Sequence, residues 1–156
     1  DCAQALNDLK SIRLTNSPAI VTPTATLLTL ATNPTFIGAI SQDKREELVG
    51  AIYSFNRAGN DYLVAANTLD NYMKLHAGEF DRLDAGVAVT FIPGPPPQSD
   101  GEAAIRRQAW EPGEKARKDE LNNARTSLRH DLRRKLGSLE VKHTGLCGVL
   151  KAASQG

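Results

Sequence analysis

The densest group of side chains with chemical potential lies between residues 76 and 84. His76 and Glu79 stand three residues apart, and Asp81 and Asp84 follow them. Residues at this spacing share a face of a helix, and metal sites in helical bundles use a histidine and a carboxylate in this way. One interpretation is therefore a metal-assisted hydrolase with His130 supplied by a second helix. We prefer the alternative, a helix end with solvated acids and a histidine that hydrogen-bonds to a carbonyl.

A second candidate group is basic. Residues 106–135 contain ten Lys or Arg and five Asp or Glu, a balance of +5 in a chain whose net charge is +1. Four of these cations follow one border of a leucine-rich helical stripe, namely Lys118, Arg125, Arg129 and Arg133. They are candidates for binding phosphates, acidic lipid headgroups or an acidic protein. The alternative, which we prefer, is a solvated helix face whose long stems cover the edge of the core.

The two cysteines, Cys2 and Cys147, lie near opposite ends of the chain. Because domain termini often lie close together, a disulfide between them is feasible, and two unrelated thiols are the alternative. A disulfide would indicate a periplasmic or extracellular location, whereas free thiols would also fit the cytoplasm. His143 precedes Cys147 by four residues, but Gly145 lies between them and we do not expect thiol catalysis.

The sequence contains no GxSxG, no Gly-rich phosphate loop and no HExxH. Without these motifs we expect no catalytic residue, no cofactor and no metal. The chain has 156 residues, of which 40% are apolar and 24% charged, values typical of one globular domain and unlike a disordered chain. No stretch approaches the roughly 18 consecutive apolar residues of a membrane span.

The elements that would position these side chains are helices. Asp43 and Glu46 resemble a capping box, and a heptad seam follows them. The seam positions are Leu48, Ile52, Phe55, Gly59, Tyr62, Ala66, Leu69 and Met73. This pattern predicts one helix over residues 43–77, roughly 50 Å long at ~1.5 Å per residue, which needs a partner of similar length.

The second half of the chain can supply that partner. We predict helices over residues 100–110 and 114–139, interrupted at Pro112 and Gly113, with a loose tail over residues 143–156. The apolar stripe of the second helix comprises Leu121, Ala124, Leu128, Leu132, Leu136 and Leu139.

The two halves are joined by an extended, Pro-rich connection over residues 85–98. Its prolines, from Pro93 to Pro97, favour polyproline II. Such a segment either docks onto an aromatic groove of a partner or acts as a rigid spacer, and we prefer the spacer. Trp110, the single tryptophan, follows this connection, and the sequence does not decide whether it is buried.

The N-terminal part of the chain is less regular. Leu6, Leu9, Ile12 and Leu14 predict a short amphipathic helix over residues 2–14. Residues 15–35 are rich in Pro and Thr, and within them residues 24–31 fit either two helical turns or a strand.

The order of elements from Pro23 to Tyr53 resembles that of small bacterial helical proteins without an assigned function, which are anchored by one upstream membrane helix. A Thr-Pro turn and a Leu-rich turn precede the capped run Gln42-Asp43-Lys44-Arg45-Glu46-Glu47-Leu48, and Ile52-Tyr53 follow it. The resemblance implies an envelope-associated helical domain rather than an enzyme. The chain departs from that pattern in the proline-containing insertion after residue 84 and in the extended basic helix.

We therefore predict a single all-α domain, a small bundle built on two long antiparallel helices. Its predicted function is non-catalytic, as an interaction or sensory domain whose partner is an unidentified protein or a second copy of the chain. Binding of polyanions or acidic membranes through residues 106–135 and metal-assisted hydrolysis at His76 and Glu79 are the alternatives.

Overall fold

The structure, a computed structural model, describes Gly38 and residues 41–154. Within that range 85% of the chain is helical and no strand occurs, so the predicted all-α class is confirmed. The described helices are α1 (Gln42–Leu75), α2 (Ala77–Asp84) and α3 (Asp100–Ser154). The helix predicted over residues 2–14, the segment 15–35 and Cys2 lie outside the described residues.

The described chain divides into two compact units. The terminal unit contains the described residues up to Thr68 together with those from His130 onward, and the central unit is Leu69–Arg129. The two long helices, α1 and α3, contribute to both units. Helix α2 and the connection, residues 85–99, belong to the central unit.

The core of the terminal unit is apolar and comes from both long helices. Leu48, Ile52 and Phe55 of α1 are at most 1% exposed, and they share one cluster with Leu139 and Leu146 of α3. The two long helices therefore pack together here. Complete burial of a side chain of this size stabilises the folded state by about 1.5–3 kcal/mol.

The predicted seam describes the start of α1 better than its end. The first four seam positions, from Leu48 to Gly59, are buried. The last four, ending at Met73, are only half-buried, whereas Leu63 and Ala65 are buried outside the seam. A straight helix of 3.6 residues per turn drifts by about 20° per heptad from a strict seven-residue repeat, which accounts for the displacement.

The prediction of two helices around Pro112 is wrong, because α3 continues through this proline. A proline inside a helix removes one hydrogen bond and costs about 3 kcal/mol. On either side of it, Trp110 and Glu114 bind the connection through hydrogen bonds of 2.9 and 2.7 Å. These contacts hold both flanking turns in place, which offsets the cost of the proline.

The prediction of a loose tail after residue 143 is also wrong, since α3 extends to Ser154. Gly145 and Gly148 suggested a weak helix, but Leu146 between them is fully buried in the terminal core. Val149 and Leu150 pack against the same core. Burial of these apolar side chains outweighs the roughly 1 kcal/mol that each glycine costs inside a helix.

The first long helix ends two residues earlier than predicted. His76 separates α1 from α2 with φ −110° and ψ 22°, outside the α-helical region, and Gly78 lies inside α2. Amide–carbonyl bonds of 3.1 Å (His76 to Tyr72) and 2.9 Å (Phe80 to His76) nevertheless link the two helices. Backbone hydrogen bonding therefore continues across the break between α1 and α2.

The central unit has a smaller apolar core. Its buried members are Phe80, Val89 and Leu121, contributed by α2, the connection and α3. Tyr72 lies against Phe80 in an edge-on arrangement, with 5.9 Å between ring centroids. With three buried apolar side chains, this unit depends more on the polar contacts described below.

Candidate functional site

The most specific polar arrangement in the described chain is a carboxylate that binds the connection. Glu114 on α3 is only 6% exposed, the one charged side chain buried among residues 41–154. One oxygen, Oε1, accepts a hydrogen bond from the Val89 amide at 2.7 Å, and Oε2 accepts one from the Thr90 amide at 2.9 Å. The Thr90 hydroxyl donates a third bond to Oε2. We call this arrangement the Glu114 clamp.

The surroundings of Glu114 keep its carboxyl group ionised. Burial alone would raise its pKa, but the bonds from the Thr90 hydroxyl and the amides of Val89 and Thr90 outweigh burial, and the net pKa is lowered. Lys118, whose Nζ lies 3.5 Å from Oε1, adds to that effect. A buried carboxylate with donors on both oxygens is a strong and directional anchor.

Trp110 extends the clamp by one more contact. Its indole Nε1 donates to the Thr90 hydroxyl oxygen at 2.9 Å. The single tryptophan of the chain is therefore half-buried against the connection. The Thr90 hydroxyl accepts from Trp110 and donates to Glu114, so both of its bonding roles are used.

A second anchor holds the Pro-rich part of the connection. Arg106 on α3 donates to the carbonyl of Pro95 and also pairs with Glu102 at 2.6 Å. The other carboxylate oxygen of Glu102 accepts from the Gln98 amide at 2.8 Å, so the anchor continues into the start of α3. Gly94, next to this contact, has φ +101°, a conformation that side chains disfavour.

Although the backbone is fixed, the apolar side chains of the connection point outward. Phe91 is 75% exposed and Ile92 41% exposed. The Arg82 guanidinium lies over the Phe91 ring at 4.5 Å from its centroid. Several large apolar side chains exposed on one rigid segment are typical of a protein-binding surface.

Next to the connection lies a groove of about 710 Å³. One wall is the segment from Ile92 to Pro97, and the other is the outward face of the first turns of α3. We call that wall the α3 face, and it consists of Asp100, Ala103, Ala104, Arg107, Gln108 and Glu111. These positions follow one another at spacings of three and one, which places them on one side of the helix.

The residues of the predicted metal site do meet, but through an arginine. His76 Nδ1 and Glu79 Oε1 lie 3.0 Å apart. Both oxygens of Glu79 accept hydrogen bonds from Arg117, each at 2.7 Å. These bonds, and a weaker contribution from His76, lower the pKa of Glu79 to about 2 although partial burial opposes the shift. The guanidinium occupies the side of the carboxylate that a metal ion would use.

His130, the other candidate ligand, is exposed and belongs to the terminal unit. Among residues 41–154, no group of three or more His, Cys, Asp or Glu side chains is arranged to hold a metal ion.

The four predicted anion-binding residues have different surroundings. Lys118 lies beside Glu114, as described above. Arg125 donates to both oxygens of Asp84 at 2.9 and 3.0 Å and also lies over the Phe80 ring. Arg129 and Arg133 are exposed. An anion at Lys118 or Arg125 would therefore compete with a carboxylate that is already in place.

The predicted cysteine pair is only partly described. Cys147 lies on α3 in the terminal unit, with its Sγ 3.3 Å from Nε2 of His143. Cys2 lies outside the described residues, so the pairing stays a prediction. In the described part of the chain, no helix combines the length and apolar character needed to cross a membrane.

Sequence reasoning missed the Glu114 clamp. Glu114 follows Pro112 and Gly113, and its position predicts only the start of a helix. One signal was present: a tryptophan and a glutamate four residues apart, positions that share a helix face, flank a proline. Their partners, Val89 and Thr90, lie 20 to 25 residues away, which local periodicity does not reveal.

No family model, no curated protein and no solved structure matches this chain.

Proposed function

We propose that this chain is a non-catalytic protein-interaction domain that presents the connection as its contact surface. The observation that carries the proposal is the Glu114 clamp, which fixes the backbone of residues 89 and 90 while Phe91 and Ile92 stay exposed. A segment that is ordered before binding loses less conformational entropy in the complex than a mobile loop.

The charged groups of the central unit support this proposal over an enzymatic one. Glu79, Glu102 and Glu114 each accept hydrogen bonds from donors within the unit. A general acid or base needs access to substrate and a pKa near the working pH, whereas the pKa values of these three carboxyls are lowered. Metal-assisted hydrolysis at His76 and Glu79 is therefore the less favoured alternative.

The experiment places a photo-crosslinking amino acid at position 91 of the full chain, expressed in the cells that naturally make it. We expect crosslinks to a defined protein, which can be a second copy of the chain. The same group at Asn123, an exposed position of the central unit, is the matched control. Equal labelling at both positions, or none at position 91, would overturn the proposal.

A sharper version of the test combines the crosslinker with Glu114→Gln. The substitution weakens the clamp and loosens residues 89 and 90 without altering any exposed side chain on the connection. We expect crosslinking at position 91 to decrease several-fold, because the contact surface then has to be ordered during binding. Unchanged crosslinking would show that the rigidity of the connection does not contribute to binding.

We also propose that the two long helices run antiparallel within one bundle that includes the helix predicted over residues 2–14. Shared burial of Phe55 and Leu139 supports side-by-side packing. Spin labels at the exposed positions Asp43 and Ala152 would test the direction. In an antiparallel pair we expect a distance below about 25 Å, since neighbouring helix axes are about 8–10 Å apart. A parallel pair with the same contact would separate the labels by roughly 37 Å along the helix axis, at ~1.5 Å per residue.

We propose that the domain lies in the bacterial envelope, with Cys2 and Cys147 joined by a disulfide. The resemblance to anchored helical proteins supports this location, and an oxidising compartment would maintain the bond. Peptide mapping under non-reducing conditions tests it directly. Recovery of both cysteines as free thiols from the native compartment would contradict it.

Polyanion binding is the second candidate function, because the side chains of Arg129 and Arg133 are exposed. Binding to vesicles of anionic phospholipid at ~50 and ~200 mM salt would test it, since binding through phosphate contacts weakens steeply with salt. Absence of binding at the lower salt concentration would exclude it.

A further inference from the structure

We propose that the α3 face binds the same face of a second copy of this chain, as a two-fold symmetric antiparallel helix pair. The proposal rests on the proposed function and names its partner. It depends on the spacing of charges along α3, on the small residues between them and on the exposed apolar side chains beside them.

The charges of the α3 face are self-complementary. Asp100 and Arg107 are placed symmetrically about the midpoint between Ala103 and Ala104. In a two-fold pair, each surface contacts its own copy in the opposite direction. When two antiparallel α3 helices cross at that midpoint, Asp100 of each copy lies opposite Arg107 of the other, and two ion pairs form.

Both charges are available for such pairs. Asp100 and Arg107 are exposed, and no ion pair or side-chain hydrogen bond engages either of them within residues 41–154. The neighbouring Arg106 differs, because its guanidinium is already bound to Glu102 and Pro95. Two arginines line the groove. Among the described residues, only Arg107 has a guanidinium that is not engaged in an ion pair or side-chain hydrogen bond.

The middle of the face allows two helices to approach closely. Ala103 and Ala104 lie where the helices would cross, and Gly101 is one turn away. Small residues at a crossing permit interaxial distances near the lower end of the usual range of about 8–10 Å. Ile92, which lines the groove, is 41% exposed, so it supplies apolar surface for the same contact.

The chemistry favours a second copy over an unrelated helix. An unrelated helix would have to place a cation opposite Asp100 and an anion opposite Arg107, seven residues apart. An antiparallel copy of α3 already presents both charges at that spacing. Both members of the ion pairs, the small residues and the apolar border are therefore encoded in one surface, as symmetric contacts require.

The test is a charge exchange measured by sedimentation equilibrium on the full chain. We expect the wild type to dimerise and D100R and R107D each to raise the dimer Kd at least about tenfold, because each places like charges opposite one another twice in the dimer. The double variant D100R/R107D restores both ion pairs with reversed sign. We expect its Kd to return to within about threefold of the wild-type value.

D61R is the matched control, because Asp61 is exposed on α1 in the terminal unit and the substitution changes the net charge as D100R does. Its Kd should stay within about twofold of wild type. Circular dichroism melts confirm that each variant is folded, and A104E provides a second way to block the contact without changing either ion-pair residue.

A wild-type chain that stays monomeric to ~1 mM would overturn the inference. A dimer whose Kd is unchanged by D100R, R107D and A104E would overturn it as well. If the chain is monomeric but position 91 still crosslinks a different protein, this inference fails and the proposed function stands. If position 91 crosslinks nothing and the chain is monomeric, both fail.

Discussion

The two compact units of this protein are stabilised by different kinds of contact. In the terminal unit, seven buried apolar side chains from α1 and α3 form one cluster that includes Phe55. In the central unit only Phe80, Val89 and Leu121 form such a cluster, and charged groups tie its segments together. The clearest of these are the Glu114 clamp and the pairing of Glu79 with Arg117.

This difference follows from the shape of each segment. Two regular helices present continuous apolar stripes, which can bury one another without leaving backbone groups unpaired. An irregular connection has free amides that need acceptors when they are buried, and a carboxylate supplies two strong ones. The terminal unit should therefore respond mainly to changes in apolar volume, and the central unit to changes in charge and pH.

The largest expected effect comes from Phe55→Ala in the terminal unit. The ring is completely buried, so its removal leaves a cavity and should cost about 3–5 kcal/mol of unfolding free energy. Chemical denaturation measures this change. Tyr53→Ala on the same helix is the control, since Tyr53 is 60% exposed and its loss should cost no more than about 0.5 kcal/mol. Equal losses would contradict the assignment of the core.

Glu114→Gln should have the next largest effect, and it should be confined to the central unit. The amide group of glutamine has a single acceptor oxygen, so one of the two buried N–H donors at Val89 and Thr90 loses its partner. The expected cost is about 1–3 kcal/mol. Faster hydrogen exchange at residues 89 and 90, with a change in Trp110 fluorescence, would report it.

The exposed Glu111, three residues away on α3, provides the matched substitution for that experiment. Glu111→Gln should leave both signals unchanged, because no hydrogen bond joins its side chain to the connection within the described residues. A comparable response from both variants would mean that charge near α3, rather than the clamp, controls the connection.

The Glu79–Arg117 pair should make the stability of the central unit depend on pH. Because the pKa of Glu79 is lowered from 4.5 to about 2, its stabilising contribution is complete above about pH 4.5 and disappears as the pH falls toward 2. The difference in Tm between wild type and Glu79→Gln should therefore be constant above about pH 4.5 and shrink as the pH falls toward 2. For Phe55→Leu in the terminal unit, the same difference should stay nearly constant.

The smallest expected effects concern two glycines of the central unit. Gly94 has φ +101°, and an added Cβ would lie 3.4 Å from the Arg106 guanidinium, so Gly94→Ala should destabilise by about 1 kcal/mol. Gly113 lies inside α3 with open space around it, so Gly113→Ala should stabilise by up to about 1 kcal/mol. Thermal melts distinguish the two signs.

Local patterns in the sequence predict the terminal unit better than the central one. The heptad seam identifies Leu48, Ile52 and Phe55 as core residues, because one-sided burial on a long helix has a regular period. The leucine stripe likewise identifies Leu139. The end of α3 was missed, since two glycines lower helix propensity while the burial of Leu146, which decides the outcome, depends on contacts with α1.

The contacts of the central unit are long-range, and periodicity does not contain them. Pro112 indicated an interruption that tertiary hydrogen bonds on either side of it prevent. His76 and Glu79 were correctly placed within reach of each other, but Arg117, 38 residues further along, sets the character of that site. The sequence predicts one uniform basic face from Lys118 to Arg133, because it does not show which of these side chains have carboxylate partners.

Pro112 has one more consequence for α3. A proline carries no amide hydrogen, so the carbonyl of Gln108, four residues earlier, receives no bond from the next turn. The main chain therefore offers a hydrogen-bond acceptor inside the N-terminal part of α3, where the helix backbone is normally closed to other molecules. A hydroxyl or amide donor on an approaching surface can bind to the Gln108 carbonyl. Because the acceptor belongs to the main chain, a substitution of the Gln108 side chain does not remove it.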